Sequence, residues 1–414
     1  MGGDNQKDNI DEPKTNNKFL TPDQTAARDT FNEPEKPGQT ISDYQPVIVS
    51  DHSKRAKKRR LNLTKKQILL FSAGGLVIVL LALTGFFLLT SKPAPKVIVK
   101  NTEHKVKKPA VASGLVPSDL TGLPVQPSVN NTPVTAVMIE NSLFARPQSG
   151  LGAAGVVFEA LTEGGISRFM ALFQDTSPPS VGPVRSVRPY FLQWALGFNA
   201  AIAHVGGSPQ ALSDIKPWGV RNLDEFYYGS YYHRISSRQA PHNMYTSLAD
   251  LHSLEKNLGY SVSPFTAWKR QSPPTTLQAP SAGSINLYLS GPSYNVNYTY
   301  SPKNNDYLRD EGGAPQIDAN TNTQIAPKVV IAMVVPWSTG PTDAQGAAYS
   351  VYQTIGSGTA YVFQNGQEQT VTWTKKSNNS QILFTDSSGH QVPLDAGQVW
   401  ITAISSSSNI NYSK

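Results

Sequence analysis

The chain has no cysteine among its 414 residues. Thiol nucleophiles, disulfides, cysteine-ligated zinc and attachment through a lipidated cysteine are excluded, and an exported domain must be held by its core alone. Residues 52–67 have no acidic side chain against eight Lys and Arg. From Ile68 to Thr90 the 23 residues ILLFSAGGLVIVLLALTGFFLLT lack any charge, Asn, Gln or Pro. At about 1.5 Å per residue such a run crosses a hydrocarbon core of roughly 30 Å. A signal-peptide core is shorter, about 7 to 15 residues, and a buried globular helix is rarely apolar all round at this length. The expectation is one N-terminal transmembrane helix with the lipid bilayer as its partner. Also missing are G-x-S-x-G, H-E-x-x-H, a P-loop and C-x-x-C. The sequence therefore carries no nucleophile elbow, helical zinc pair or phosphate cradle, and neither metal nor cofactor is expected.

The net charge of +7 is unevenly spread. Residues 1–51 hold five basic and ten acidic side chains, residues 91–110 six lysines against Glu103, and residues 111–414 17 basic and 18 acidic groups. The large C-terminal region is thus nearly neutral, and because nucleic-acid affinity comes from clustered Lys and Arg, no nucleic-acid partner is expected. The basic run from Lys54 to Lys66 suits anionic lipid head groups. Eight basic residues precede the apolar run, and Lys92, Lys96, Lys100 and Lys105 follow it. The positive-inside rule places the N-terminus in the cytoplasm and the large region outside, at the cell membrane.

In order, residues 1–67 read as a disordered cytoplasmic tail with a basic juxtamembrane run, 68–90 as the membrane helix and 91–132 as a Pro/Lys-rich stalk. An α/β (or α+β) domain is expected over 133–262. Its strands are VTAVMIEN, GVVFEALTEGG, ISRFMALFQD and AAIAHVGG; its helices are SVRPYFLQWALGF, PQALSDI capped by Ser208, and TSLADLHSLEKNLG stopped by Gly259. Residues 263–283 read as a linker. The remainder, 284–414, is a smaller, mainly-β domain, a small barrel or sandwich, with seven strand-like runs: INLYLS, SYNVNYTY, VVIAMVV, TAYVFQNG, QTVTWTKK, QILFTD and QVWITAI.

Gly150, Gly152 and Gly155 spell G-x-G-x-x-G, but the strand VVFEAL follows where a nucleotide fold needs a helix, so this is a loop. Six arginines are more suggestive: Arg146, Arg168, Arg185, Arg188, Arg234 and Arg238 lie in short polar loops or at strand ends. Guanidinium forks suit bidentate phosphate or carboxylate recognition. Glu140, Glu159, Glu163 and Asp175 are the acidic residues close to them in sequence, and His242 and Asn243 the polar ones. Two readings stay open: an anion-binding cleft, or arginines consumed by structural ion pairs.

MIENSLFARPQSGL, VVFEALTEGGISRFMALF, GPVRSVRPYF, HVGGSPQAL and HRISSRQAPHNMYTS resemble the signature blocks of the YerB-like bacterial envelope proteins, a family of unknown function. YLRDEGGAPQIDANT, IGSGTAYVFQNGQ, TVTWTKKS and GQVWITAI resemble its C-terminal domain. The resemblance implies an exported protein held at the membrane; many members are lipoproteins, whereas this chain has no cysteine to lipidate. It supplies no reaction. Two functions follow as expectations. One is a non-catalytic envelope binding or scaffolding protein whose Arg-rich face meets a cell-wall polymer or envelope protein. The other is an enzyme on a phosphate-containing or polyprenyl-linked glycan, loosely similar in arrangement to the LytR-CpsA-Psr phosphotransferases. The latter expects Arg168, Arg185 and Arg188 to converge on one cleft with Asp175 nearby.

Overall fold

The computed structural model describes residues 114–414. The expected tail, membrane helix and most of the stalk lie outside the described residues, among which no helix is long and apolar enough to cross a membrane.

The first half contributes strands Thr135–Glu140 (β1), Val156–Leu161 (β2) and Ser167–Phe173 (β3), helix Pro189–Gly197 (α1) and strand Ala201–His204 (β4). Helix Pro209–Ile215 (α2), strand Arg221–Asp224 (β5) and helix Leu248–Asn257 (α3) follow. Each helix starts where the sequence stops it from starting earlier. Pro189 and Pro209 occupy first-turn positions, where a missing N–H costs nothing. Ser208 and Ser247 cap α2 and α3 by accepting the Ala211 and Asp250 N–H groups.

The second half is almost all β: Ser284–Leu287 (β6), Val296–Ser301 (β7), Asp306–Glu311 (β8), Val329–Val334 (β9), Gly356–Gln364 (β10), Gln367–Lys375 (β11), Leu383–Thr385 (β12), Val399–Ile404 (β13) and Ile410–Ser413 (β14). A barrel or sandwich closed on itself does not form. Instead β9 to β13 join the first half in one ten-stranded mixed sheet, ordered β12-β11-β10-β9-β13-β2-β3-β1-β4-β5. The junction is the parallel pair β13/β2, with Val399 opposite Val156 and Ile401 opposite Phe158. The other strands, β8-β7-β6-β14 with the short edge strand Ala314–Pro315, form a separate antiparallel sheet of five.

The large sheet is covered on both faces, which explains its unbroken apolar runs. Alternation by two sends Ala136, Met138, Phe158 and Ile401 toward α1, where Phe191, Trp194 and Phe198 complete one core. Val137, Ile139, Val157 and Trp400 face the other way, onto Leu248, Leu251 and Leu254 of α3 and onto Ile285, Tyr298 and Tyr307 of the five-stranded sheet. Part of the expected stalk and the expected linker are also packed. Leu120 is buried, and Val116–Pro117 pairs with Pro124–Val125. Arg270–Gln271 runs beside Leu394–Asp395, while Trp268 is buried and donates to the Ile382 carbonyl at 2.7 Å.

The carboxyl-edge arginine cluster

In open α/β sheets the crevice outside the carboxyl ends of parallel strands is the usual place for a site. Here β1 ends at Glu140 beside Arg168, the two paired across antiparallel strands. The segment carrying Arg185 and Arg188 crosses this edge: the Arg185 N–H donates to the Met138 carbonyl, and the Val205 N–H, just after β4, to the Arg185 carbonyl. The geometry therefore gathers Arg168, Arg185 and Arg188 with Glu140 and Glu163.

Their roles differ. Arg188 binds Glu163 with two nitrogens, Nε to Oε2 at 2.9 Å and a shorter contact to Oε1. Arg168 reaches the same Oε1 at 3.3 Å and donates to the Ser186 carbonyl at 2.7 Å. Burial alone raises a carboxyl, yet the two guanidiniums, with the bond from Arg188, overcome it and hold Glu163 at about 2. Burial pulls Arg168 down to about 10, with Glu163 opposing and Arg188 and Arg185 adding to the fall. Arg185 stands apart: its side chain is 30% exposed and makes no hydrogen bond among the described residues, and Nε lies 3.7 Å from Glu140 Oε1.

Glu140 is held by His242, whose Nδ1 lies 2.8 Å from Oε1, while Oε2 is buried without a partner. The Ser142 hydroxyl lies 3.3 Å from the same Nδ1. Serine, histidine and carboxylate are thus adjacent, but a relay needs the two partners on opposite ring nitrogens, so this is no catalytic triad. Next to His242, Phe144 is 76% exposed with ring centroids 5.4 Å apart, and Leu143 is 56% exposed. Leu143 and Phe144 are not singled out by the sequence; their place in a turn between Asn141 and Arg146 was the available sign of exposure.

The remaining candidates are bonded elsewhere. Arg146 pairs with Glu311 at 3.1 Å and donates to the Ser293 carbonyl at 2.9 Å. Arg238 clamps the Ala145 and Pro147 carbonyls. Exposed Arg234 donates to Asn243 Oδ1 at 2.7 Å, and the Asn243 amide donates to the Ile235 and Arg238 carbonyls. Asp175 lies beyond the far end of β3 from Arg168, accepting from Ser118 at 2.7 Å and from Thr121. The expected proximity of Asp175 to the arginines fails because β3 is extended: seven residues at about 3.3 Å each separate its ends by roughly 20 Å. Among the described residues no group of three His, Asp or Glu side chains is placed to hold a metal ion.

Glu159 belongs to a second, fully buried network. It accepts from Arg309 at 2.8 Å, Trp400 Nε1 at 3.1 Å and Thr402 at 3.2 Å through Oε2, and from Ser167 at 3.1 Å through Oε1. Arg309 also meets Glu311 at 3.3 Å and lies over the Trp400 ring at 4.4 Å. Burial pushes the Glu311 carboxyl above its ordinary range against the pull of Arg309. Arg309 was missed in the sequence; the sign was period two in YLRDE, which puts Tyr307, Arg309 and Glu311 on one face.

The N-terminal domain of the protein family of unknown function DUF3048 matches residues 120–261, and its C-terminal domain matches residues 285–401. The chain belongs to the DUF3048, or YerB-like, family. A Bacillus subtilis (strain 168) member named "Putative lipoprotein YerB" is 31% identical over 328 residues, covering 77% of this chain and 92% of that protein. The crystal structure of YerB from Bacillus subtilis superposes with a TM-score of 0.64 at 28% identity, covering 72% of this chain and 100% of the other. The YerB-like matches divide where the sequence pattern divides, at the Ser/Pro-rich stretch before β6. The ten-stranded sheet runs across that division.

Proposed function

We propose that this YerB-like chain is a membrane-tethered protein of the cell envelope that binds, without chemistry, an anionic group of a wall polymer or partner protein at the carboxyl-edge arginine cluster. The observation that carries the reading is Arg185. Three guanidiniums share two carboxylates there, and Arg185 alone is part exposed with every nitrogen free of a hydrogen bond among the described residues. A guanidinium in that state offers a fork to a carboxylate or phosphate, and Arg168 and Arg188 behind it keep the local potential positive. Exposed Phe144, whose ring lies 5.4 Å from that of His242, gives the ligand an apolar surface on the far side of the Glu140–His242 pair. The tether is Ile68–Thr90, with the N-terminus cytoplasmic. The relative's name supports an envelope location, and the absence of cysteine here makes the apolar run the substitute for a lipid. The phosphotransferase-like alternative finds no support: Arg168 and Arg188 are taken up by Glu163, and Asp175 stands away from them.

The test is co-sedimentation of the full chain, in detergent micelles, with purified cell-wall sacculi before and after acid removal of their phosphate polymers. Arg185→Glu should weaken binding to untreated sacculi at least tenfold, about 1.4 kcal/mol, and the exposed Lys303→Glu should not. Equal binding by native chain and Arg185→Glu would discard this site.

A further inference from the structure

The charges and donors of the arginine cluster narrow what can bind there. Three guanidiniums, of Arg168, Arg185 and Arg188, stand against two carboxylates, of Glu140 and Glu163, so one positive charge is in excess. The neighbouring Arg146 is paired with Glu311, Arg238 is held on the Ala145 and Pro147 carbonyls, and His242 turns Nδ1 to Glu140.

Most of the donors are spent inside the protein. Arg188 gives Nε and Nη2 to Glu163 and Nη1 to the Val187 carbonyl at 2.7 Å. Arg168 gives Nη1 to the Ser186 carbonyl and Nη2 to Glu163, and its Nε is buried. Arg185 differs atom by atom. Its Nε is buried 3.7 Å from Glu140 Oε1, whereas Nη1 and Nη2 make no hydrogen bond among the described residues and keep access to solvent. A ligand therefore meets one open guanidinium end, two nitrogens side by side, with the Glu140 carboxylate close to the same side chain.

We propose that the anionic group bound here is a phosphodiester, the repeating linkage of a wall phosphate polymer. The inference rests on the binding role proposed above for Arg185 and names the chemistry of its ligand. A phosphodiester has one negative charge and two free oxygens, which match one excess positive charge and one guanidinium fork. A phosphomonoester carries about −2 at pH 8, above its second pKa of about 6, and has a third free oxygen. That oxygen finds no further guanidinium nitrogen both unbonded and open to solvent, and its added charge is repelled by Glu140. A carboxylate has the right charge, but so near Glu140 it is pushed towards protonation, as neighbouring carboxyls are. A phosphodiester is a far stronger acid and stays ionised.

The test is displacement of the full chain, in detergent micelles, from purified sacculi at about pH 8 and constant ionic strength. Three soluble competitors are compared: bis(glycerol) phosphate, glycerol 3-phosphate and propionate. The diester should release half of the bound chain at a concentration at least threefold below that needed of the monoester or of propionate. Glu140→Gln removes the repelling charge, so in that variant the monoester should gain at least threefold on the diester; should it fail to fold, the native chain's order of competitors decides. Arg185-dependent sedimentation that the monoester or propionate reverses as readily as the diester would overturn the inference and leave the anion site standing. An unchanged ratio in folded Glu140→Gln would overturn it in the same way. Sedimentation that does not depend on Arg185 would remove the site itself, and the inference with it.

Discussion

Glu163 is where a single residue decides most. It serves two guanidiniums, those of Arg168 and Arg188, both almost fully buried. Removing a shared counter-charge leaves two buried cations, so Glu163→Gln should cost about 3–5 kcal/mol at neutral pH. The sign with pH follows from a carboxyl held at about 2 when folded and near 4.5 when unfolded. Its contribution is full above the unfolded value and is lost as pH falls through the folded one. Thermal unfolding of both chains from pH 7 down to pH 2 should show a gap that narrows below about pH 4.5; a gap independent of pH would mean the carboxylate charge is not the cause. The sequence brought forward six arginines because they lie in short loops flanked by glycine and proline, with Glu140, Glu159, Glu163 and Asp175 as candidate partners. It left open whether they are paired or free, since that turns on distances between loops far apart in the chain. The answer differs by residue: hydrogen-bonded ion pairs for Arg168 and Arg188, and for Arg185 a looser ion pair with Glu140 at 3.7 Å and no side-chain hydrogen bond.

At the scale of elements, β8 is joined to β2 and β13 across the layers through one side chain, Arg309. Its charge is compensated by Glu159 and Glu311 and its face by Trp400. Burying these ions is costly in itself, but once buried, removing one partner strands the others. Arg309→Met should destabilise the chain by about 3–5 kcal/mol in urea unfolding. Adding Glu159→Gln should recover part of that loss, because the two sites are coupled. A double variant whose loss equals the sum of the singles would refute the coupling. Element existence was legible here, since INLYLS, VVIAMVV and QVWITAI carry the period or apolar density of strands and lie on β6, β9 and β13. Pairing was not. QVWITAI, apolar on both faces, announces a strand covered on two sides, yet nothing in it says that its neighbour is VVFEAL, over 200 residues earlier.

The whole molecule turns on that pairing. Val156, Phe158, Ile401 and Val399 are fully buried at the seam where the two matched family domains meet. Cutting the sheet between β2 and β13 would expose two apolar edges with unpaired N–H and C=O groups, the arrangement that drives aggregation. It would also strip β2 of the partners of Glu159, leaving a buried carboxylate facing water on one side and Ser167 on the other. The two segments, residues 114–283 and 284–414, should therefore fail to fold when expressed apart, and when co-expressed they should associate into one soluble species. The intact chain should unfold in a single calorimetric transition, with van't Hoff and calorimetric enthalpies in agreement. Two separable transitions, or a soluble C-terminal segment with dispersed amide resonances, would mean that the seam is a contact between independent domains and that the fold's cooperativity stops at β13.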